Sequence, residues 1–226
     1  MTRRPLRTFR LLCFCLCWFT FLTTTPLVLY ISYKNSEGLA YANGLLYEST
    51  GLNGQSSIRT LDPHTGQVIE SFPVSQEYFG EGLTIVNDKL IQLTWKSKTG
   101  FVYDAKNLTK PPETFSFSTK RSEGWGLTYD AEKDELVVSD GSDSLFFWDP
   151  HTFEELRRLQ VVRQSGQPAK NINELEWWRG RVLANVWYED TIIVINPETG
   201  VVEKEYGKFL PPEAKVGGVQ SIVSLL

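Results

Sequence analysis

The chain has 226 residues, with 23 Lys+Arg against 27 Asp+Glu, a net charge of -4 and three cysteines. Beyond the first ten residues it has no basic stripe or block, which argues against a nucleic-acid partner. Cys13, Cys15 and Cys17 all lie in one N-terminal run, so the remainder has no internal disulfide, no thiol nucleophile and no cysteine metal site.

The N-terminus carries Arg3, Arg4, Arg7 and Arg10 and then no charge until Lys34. Basic residues ahead of an apolar run form a secretory signal pattern. The run 11–33 is also long enough to cross a bilayer as a helix. Residues 1–33 are therefore expected to be a hydrophobic helix serving as a signal peptide or a signal anchor, with cleavage left open. The chain would enter the secretory pathway, secreted or anchored through residues 11–33 with its domain facing the lumen of the endoplasmic reticulum or Golgi. Residues 34–226 then form one domain with a sizeable core.

Within that domain one phrase recurs as EGLAY, EGLTI, WGLTY and NELEW. Its leucines, Leu39, Leu83, Leu127 and Leu175, are 44, 44 and 48 residues apart. A period in the forties is that of propellers, kelch-type arrays or helical repeats. The segments GLLYES, DKLIQLTWK, DELVVSD and GRVLANVW are short, β-branched or aromatic, and bounded by turn residues such as Ala42-Asn43-Gly44, Asn87-Asp88 and Arg179-Gly180. They read as strands in hairpins. Each unit has a second hairpin, in which a strand ends at Asp62, Asp104, Asp149 or Asn196, at spacings of 42, 45 and 47. An Asp or Asn begins such a turn and a glycine with positive φ ends it. Two hairpins per unit make a four-stranded blade, so the fold class is all-β, a β-propeller. The alternative, an antiparallel sandwich, does not explain phrases recurring in register.

The residue two before each repeated leucine changes: Glu37, Glu81, Trp125, Asn173. On the innermost strands of a propeller these side chains would converge near the axis. Twelve residues after the leucine, Trp95 and Trp187 occupy a second shared slot. A glutamate among tryptophans is desolvated, which raises its pKa toward the range of a general acid or base. Core packing is an equally open role for the three tryptophans. His64 and His151 share one slot in the turns and read as turn residues, which removes a Ser-His-Asp triad and a histidine zinc site. Asp140, Ser142 and Asp143 offer oxygens for calcium, but a turn capped by side chains is the simpler reading. A sugar- or lactone-acting calcium propeller would need a convergent set of acidic and amide ligands, where this chain has tryptophan-flanked glutamates. Asn107-Leu108-Thr109 is an N-glycosylation sequon.

The phrases LLYESTGLNGQSSIR, FGEGLT, LTWK, GFVYD, EGWGLTYD, VVSDGSD, DPHTF, NELEW, ANVW and TIIVINPETG, in this order and spacing, closely resemble the plant- and bacterial-type glutaminyl-peptide cyclotransferases. The resemblance runs from about Glu37 to Val201. It implies a five-bladed propeller, largely secretory in plants, that works without a catalytic metal or other cofactor. The implied reaction converts the N-terminal glutamine of peptides or secreted proteins into pyroglutamate and releases ammonia. Glu81 matches the catalytic glutamate. Asn173, Trp95, Trp125 and Trp187 match substrate-binding positions. Glu37, also placed at the substrate, stands where the family phrase FTQGL has glutamine.

Two departures qualify the expectation. The first phrase is NSEGL, with Asn35 and Glu37 in place of phenylalanine and glutamine. In addition, four hairpin pairs are present and not five, and neither Lys208 nor Lys215 matches the family's fifth-blade lysine phrase. The expectation for these residues alone is therefore a five-bladed-type propeller with about four blades and weak or absent cyclase activity. A non-catalytic propeller that keeps a peptide-binding mouth is the alternative.

Overall fold

The computed structural model describes residues 35–207. Sixteen strands form four sheets of four, each an antiparallel meander. Blade 1 holds β1 (Ser36–Ala42), β2 (Leu45–Thr50), β3 (Ser57–Leu61) and β4 (Val68–Pro73). Blade 2 holds β5 (Gly80–Val86), β6 (Lys89–Thr94), β7 (Thr99–Asp104) and β8 (Glu113–Ser116). Blade 3 holds β9 (Leu127–Asp130), β10 (Glu135–Ser139), β11 (Ser144–Trp148) and β12 (Glu155–Gln160). Blade 4 holds β13 (Ile172–Trp178), β14 (Arg181–Val186), β15 (Thr191–Ile195) and β16 (Val202–Gly207). The two-hairpin reading of each repeat holds throughout. The expected N-terminal helix and any fifth blade lie outside the described residues. Among the described residues no helix is long and apolar enough to cross a membrane.

The turns form as their residues dictate. Asn43, Asn87, Asp134 and Arg179 close the inner hairpins with left-handed φ of 54, 56, 55 and 49°. Asn and Asp tolerate that region better than most side chains. In the outer hairpins Asp62 Oδ1 accepts from the amides of His64 and Thr65 at 2.9 and 2.7 Å. Asp149 Oδ1 does the same for His151 and Thr152, both at 2.8 Å, and Asn196 Oδ1 for Glu198 and Thr199 at 2.9 and 3.3 Å. Both histidines are thus turn residues. Asp140 caps the amides of Ser142 and Arg121, while Asp143 is paired with Lys120 at 2.8 Å and with Gln160 at 3.0 Å. The turn-capping reading holds for Asp140, whereas Asp143 is engaged by the side chains of Lys120 and Gln160.

The core lies between successive blades. Tyr47 and Ile58 of blade 1 pack on Leu83, Leu90, Phe101 and Tyr103 of blade 2. Ile91 and Leu93 meet Leu127, Leu136, Phe146 and Trp148. Val137, Leu145 and Phe147 meet Ile172, Leu175, Val182 and Ile193. The repeated leucines Leu83, Leu127 and Leu175, each 1% exposed, therefore seal one blade against the blade before it. Full burial of such a side chain stabilises by roughly 1.5–3 kcal/mol. The outermost strands β4, β8 and β12 are mostly exposed; β12 carries Glu155, Arg157 and Arg158 and β4 ends at Pro73, features that discourage edge-to-edge pairing.

The inner strands β1, β5, β9 and β13 run side by side, and glycine sets how closely. A Cβ on Gly82 would stand 2.4 Å from the carbonyl oxygen of Trp125, and one on Gly126 would stand 2.1 Å from that of Asn173. No side chain fits such a gap, so glycine is required wherever one inner strand presses on the next. Blade 4 breaks the series: Glu174 stands where the other three phrases have Gly38, Gly82 and Gly126.

Candidate active site at the propeller axis

The repeated phrase is a β-bulge. Pairing with the neighbouring strand shifts register between Ser36 and Gly38, between Gly80 and Leu83, and between Ile172 and Leu175. A bulge inserts an unpaired residue and re-aims its side chain. In blade 3 the same bend is made by Gly124-Trp125-Gly126, held by the amide of Trp125 on the carbonyl of Ser139 at 3.0 Å and the Ser139 amide on Gly126 at 3.0 Å. The varied residue of each phrase sits in or beside this bend. Glu37 (5% exposed) and Glu81, Trp125 and Asn173 (each 6%) are all buried.

Electrostatics tie Glu37 and Glu81 together. Burial pushes the Glu37 carboxyl up to about 7. Glu81 is held well above the ordinary carboxylate range, first by burial and then by the charges of Glu37, Glu174 and Glu123. Buried like charges resist joint ionisation, so the pair holds a proton under conditions where free glutamate would not. One oxygen of Glu37 is buried without a hydrogen-bond partner. Its side chain lies against Gly51, whose missing Cβ leaves room for both Glu37 and the ring of Phe79.

The tryptophans form the wall beside these acids. The slot twelve residues after the leucine is fixed by the backbone: the Trp95 amide donates to Phe79 at 3.1 Å, and the Trp187 amide to Asn171 at 2.8 Å. Phe79 leans on Trp95 with ring centroids 5.5 Å apart. Trp187 meets Trp125 edge-on at 5.2 Å, and Gly141 leaves space for the Trp125 ring, which a Cβ would meet at 2.5 Å. Asn173 joins through its backbone: its carbonyl accepts from the Ser139 hydroxyl at 2.6 Å, which in turn receives the Gly126 amide at 2.8 Å. The structure thus brings Glu37, Glu81, Trp95, Trp125, Asn173 and Trp187 to one end of the inner strands.

Two acids in this region are absent from the sequence-based candidates. Glu123 Oε2 accepts from the indole N–H of Trp95 at 3.0 Å and of Trp125 at 2.9 Å. One carboxylate therefore sets the planes of two rings from adjacent blades. The repeat gives no hint of it, because the matching positions are Asn35, Phe79 and Asn171. Glu174 is buried and its carboxyl is raised well above the usual range, chiefly by burial. It spans from blade 4 to blade 1, where Oε1 accepts from the Leu39 amide at 3.4 Å, while Oε2 has no hydrogen-bond partner. This acid was readable, as a charged residue in a slot the other repeats give to glycine.

Removing the Glu123 carboxylate leaves two indole donors without their acceptor. Glu123→Ala is expected to lower the unfolding free energy by about 1–3 kcal/mol, the cost of lost charge-assisted bonds and an unsatisfied buried donor. It should also shift the tryptophan fluorescence. Denaturant titrations that superimpose on the wild type would show that Glu123 does not hold the rings.

A four-bladed frame with buried acids and tryptophans at its axis defines a β-propeller with a candidate acid-base site. The model of the glutamine cyclotransferase family matches residues 28–211, and the chain belongs to that family. A glutaminyl-peptide cyclotransferase of Arabidopsis thaliana is 41% identical over 166 residues, which cover 73% of this chain and 50% of the relative. The chain thus spans about half the length of that protein. The crystal structure of Myxococcus xanthus glutaminyl cyclase aligns with a TM-score of 0.68 at 32% identity, covering 78% of this chain and 72% of that one. The Cps50 (Swd1) β-propeller domain of Myceliophteria thermophila aligns with a TM-score of 0.51 at 14% identity, over 77% of this chain and 59% of that one, a likeness of fold alone.

Proposed function

We propose that this chain acts as a glutaminyl-peptide cyclotransferase on the N-terminal glutamine of peptides or proteins. The observation that carries the reading is Glu81, a buried acid flanked by Glu37, Glu123 and Glu174 and walled by the tryptophans that Glu123 orients, in a chain of the glutamine cyclotransferase family. The buried acids offer hydrogen-bond partners to an N-terminal amine, and the indole faces suit both that amino group and the aliphatic part of the glutamine side chain.

In the reaction, the α-amine nitrogen attacks the side-chain carboxamide carbon of the same residue. A new C–N bond closes a five-membered ring, the bond to the amide nitrogen breaks, and ammonia leaves. The amine gives up a proton and the departing nitrogen takes one, so a single group can carry the proton between them. Glu81 has that role: burial and its acidic neighbours hold its carboxyl well above the ordinary carboxylate range, the direction in which a carboxylate becomes a better proton acceptor and donor for an amine. Glu37, Trp95, Trp125, Asn173 and Trp187 hold the substrate. Because the step is intramolecular, most of their benefit lies in keeping amine and carboxamide in near-attack geometry. None of these steps uses a metal or cofactor. Arg3, Arg4, Arg7 and Arg10 ahead of the uncharged run to Lys34 support a place in the secretory pathway for this activity.

The test is ammonia release from glutamine-initiated dipeptides, read by a coupled assay and compared with glutamine placed second. Release from the first set alone is the expected result. Peptide binding without any release would favour a propeller that recognises N-terminal glutamine without turning it over.

A further inference from the structure

The residue after each slot tryptophan folds back onto its ring. In blade 2, Lys96 Nζ lies 3.7 Å from the centroid of Trp95. In blade 4, Tyr188 stacks on Trp187, with centroids 4.1 Å apart and planes 29° apart. Tyr188 is 74% exposed, the most open of the large apolar and aromatic side chains among the described residues. Stacking on one face leaves its other face to solvent.

Tyr188 is also held in an uncommon conformation. Its φ is +71°, in the left-handed region that bulky residues rarely enter and that is strained for them. The hairpin does not demand this at the residue after the tryptophan. In the corresponding connection of blade 2 the left-handed residue is Lys98, with φ +56°. In blade 4 the turn closes around Tyr188 through the Glu189 amide on the carbonyl of Val186 at 2.9 Å, and the ring is laid on Trp187.

Three aromatic rings thus form one row. Trp125 is buried, Trp187 meets it edge-on at 5.2 Å, and Tyr188 continues from Trp187 into solvent. A peptide whose first residue lies against Trp125 must carry its second residue outward. Along this row the next surface is the open face of Tyr188. We propose that Tyr188 is the specificity surface for the second residue of the peptide and favours an aromatic side chain there. The proposal rests on the cyclotransferase reading for the placement of the first residue. It concerns a residue outside the site predicted from the repeat, and the matching position in blade 2 offers a cation, not a ring.

The test separates recognition from turnover by using product peptides, which the reaction does not consume. Titration calorimetry compares pyroglutamyl-Phe-amide with pyroglutamyl-Gly-amide on the full chain. The wild type is expected to bind the Phe peptide about three- to tenfold more tightly, the worth of one aromatic contact. Tyr188→Ala should remove that preference and Tyr188→Phe should keep it. A preference that survives Tyr188→Ala overturns the proposal. So does a wild-type chain with no preference, absence of binding included. Ammonia release from Gln-Phe-amide and Gln-Gly-amide is read in parallel. Failure of both to react overturns the cyclotransferase reading, while the calorimetric comparison still judges Tyr188.

Discussion

Glu81→Gln is expected to lower ammonia release from glutamine-initiated dipeptides by roughly 10²–10⁴-fold, the usual contribution of a positioned acid-base group. Glutamine keeps the size and the capacity to hydrogen-bond but cannot accept the amine's proton and return it to ammonia. Two features make the substitution tolerable to the fold. Glu81 is buried beside other acids, and its ionised form is already opposed by burial and by Glu37, Glu174 and Glu123. A neutral amide removes that repulsion, so thermal stability should hold or rise while turnover falls. Loss of rate together with loss of folded structure by circular dichroism would make the effect structural. An unchanged rate would remove Glu81 from proton transfer.

Glu37→Gln is expected to change how stability depends on pH. The Glu37 carboxyl has an ordinary value of 4.5 and is pushed up to about 7 in the folded chain by burial. Between those values the folded state holds a proton that the unfolded state has lost. Unfolding then releases a proton, so stability falls as pH rises from about 4.5 through about 7. The whole loss is about 3 kcal/mol at roughly 1.4 kcal/mol per pH unit. Glutamine has no such titration and also relieves Glu81 of one of the charges that raise its carboxyl. Wild type and variant should therefore be of similar stability near pH 4.5, with the variant more stable by up to about 3 kcal/mol at pH 8. Urea unfolding at both pH values measures this. A difference that is the same at the two would contradict the burial of Glu37 as a charge-bearing group. The same substitution restores the glutamine of the family phrase FTQGL, so any gain in turnover would identify Glu37 as a departure that slows the reaction.

The blades, the turns and the residues grouped at the candidate site were legible in the sequence, for a physical reason. A hairpin is a local structure. Its strands alternate, its turn needs an Asp, Asn or Gly at a set place, and a repeated leucine must seal the same gap each time. Leu83, Leu127 and Leu175 therefore announce blade boundaries, and Asp62, Asp149 and Asn196 announce the outer turns. A varied residue at a fixed place in each phrase points at the axis, which groups Glu37, Glu81, Trp125 and Asn173.

The remainder depends on contacts between residues with no periodic relation. Glu123 matters because its carboxylate lies between two indoles, one of them 28 residues away, and no neighbouring repeat carries an acid there. Glu174 reaches the amide of Leu39 across 135 residues of chain, closing blade 4 toward blade 1. Tyr188 reads as an ordinary turn residue until its backbone bends it onto Trp187. Periodicity reports what each blade does for itself: its strands, turns and seals. The charge state of Glu81 and the planes of the tryptophans arise from burial and from groups contributed by different blades, and those exist only once the blades are packed around their axis.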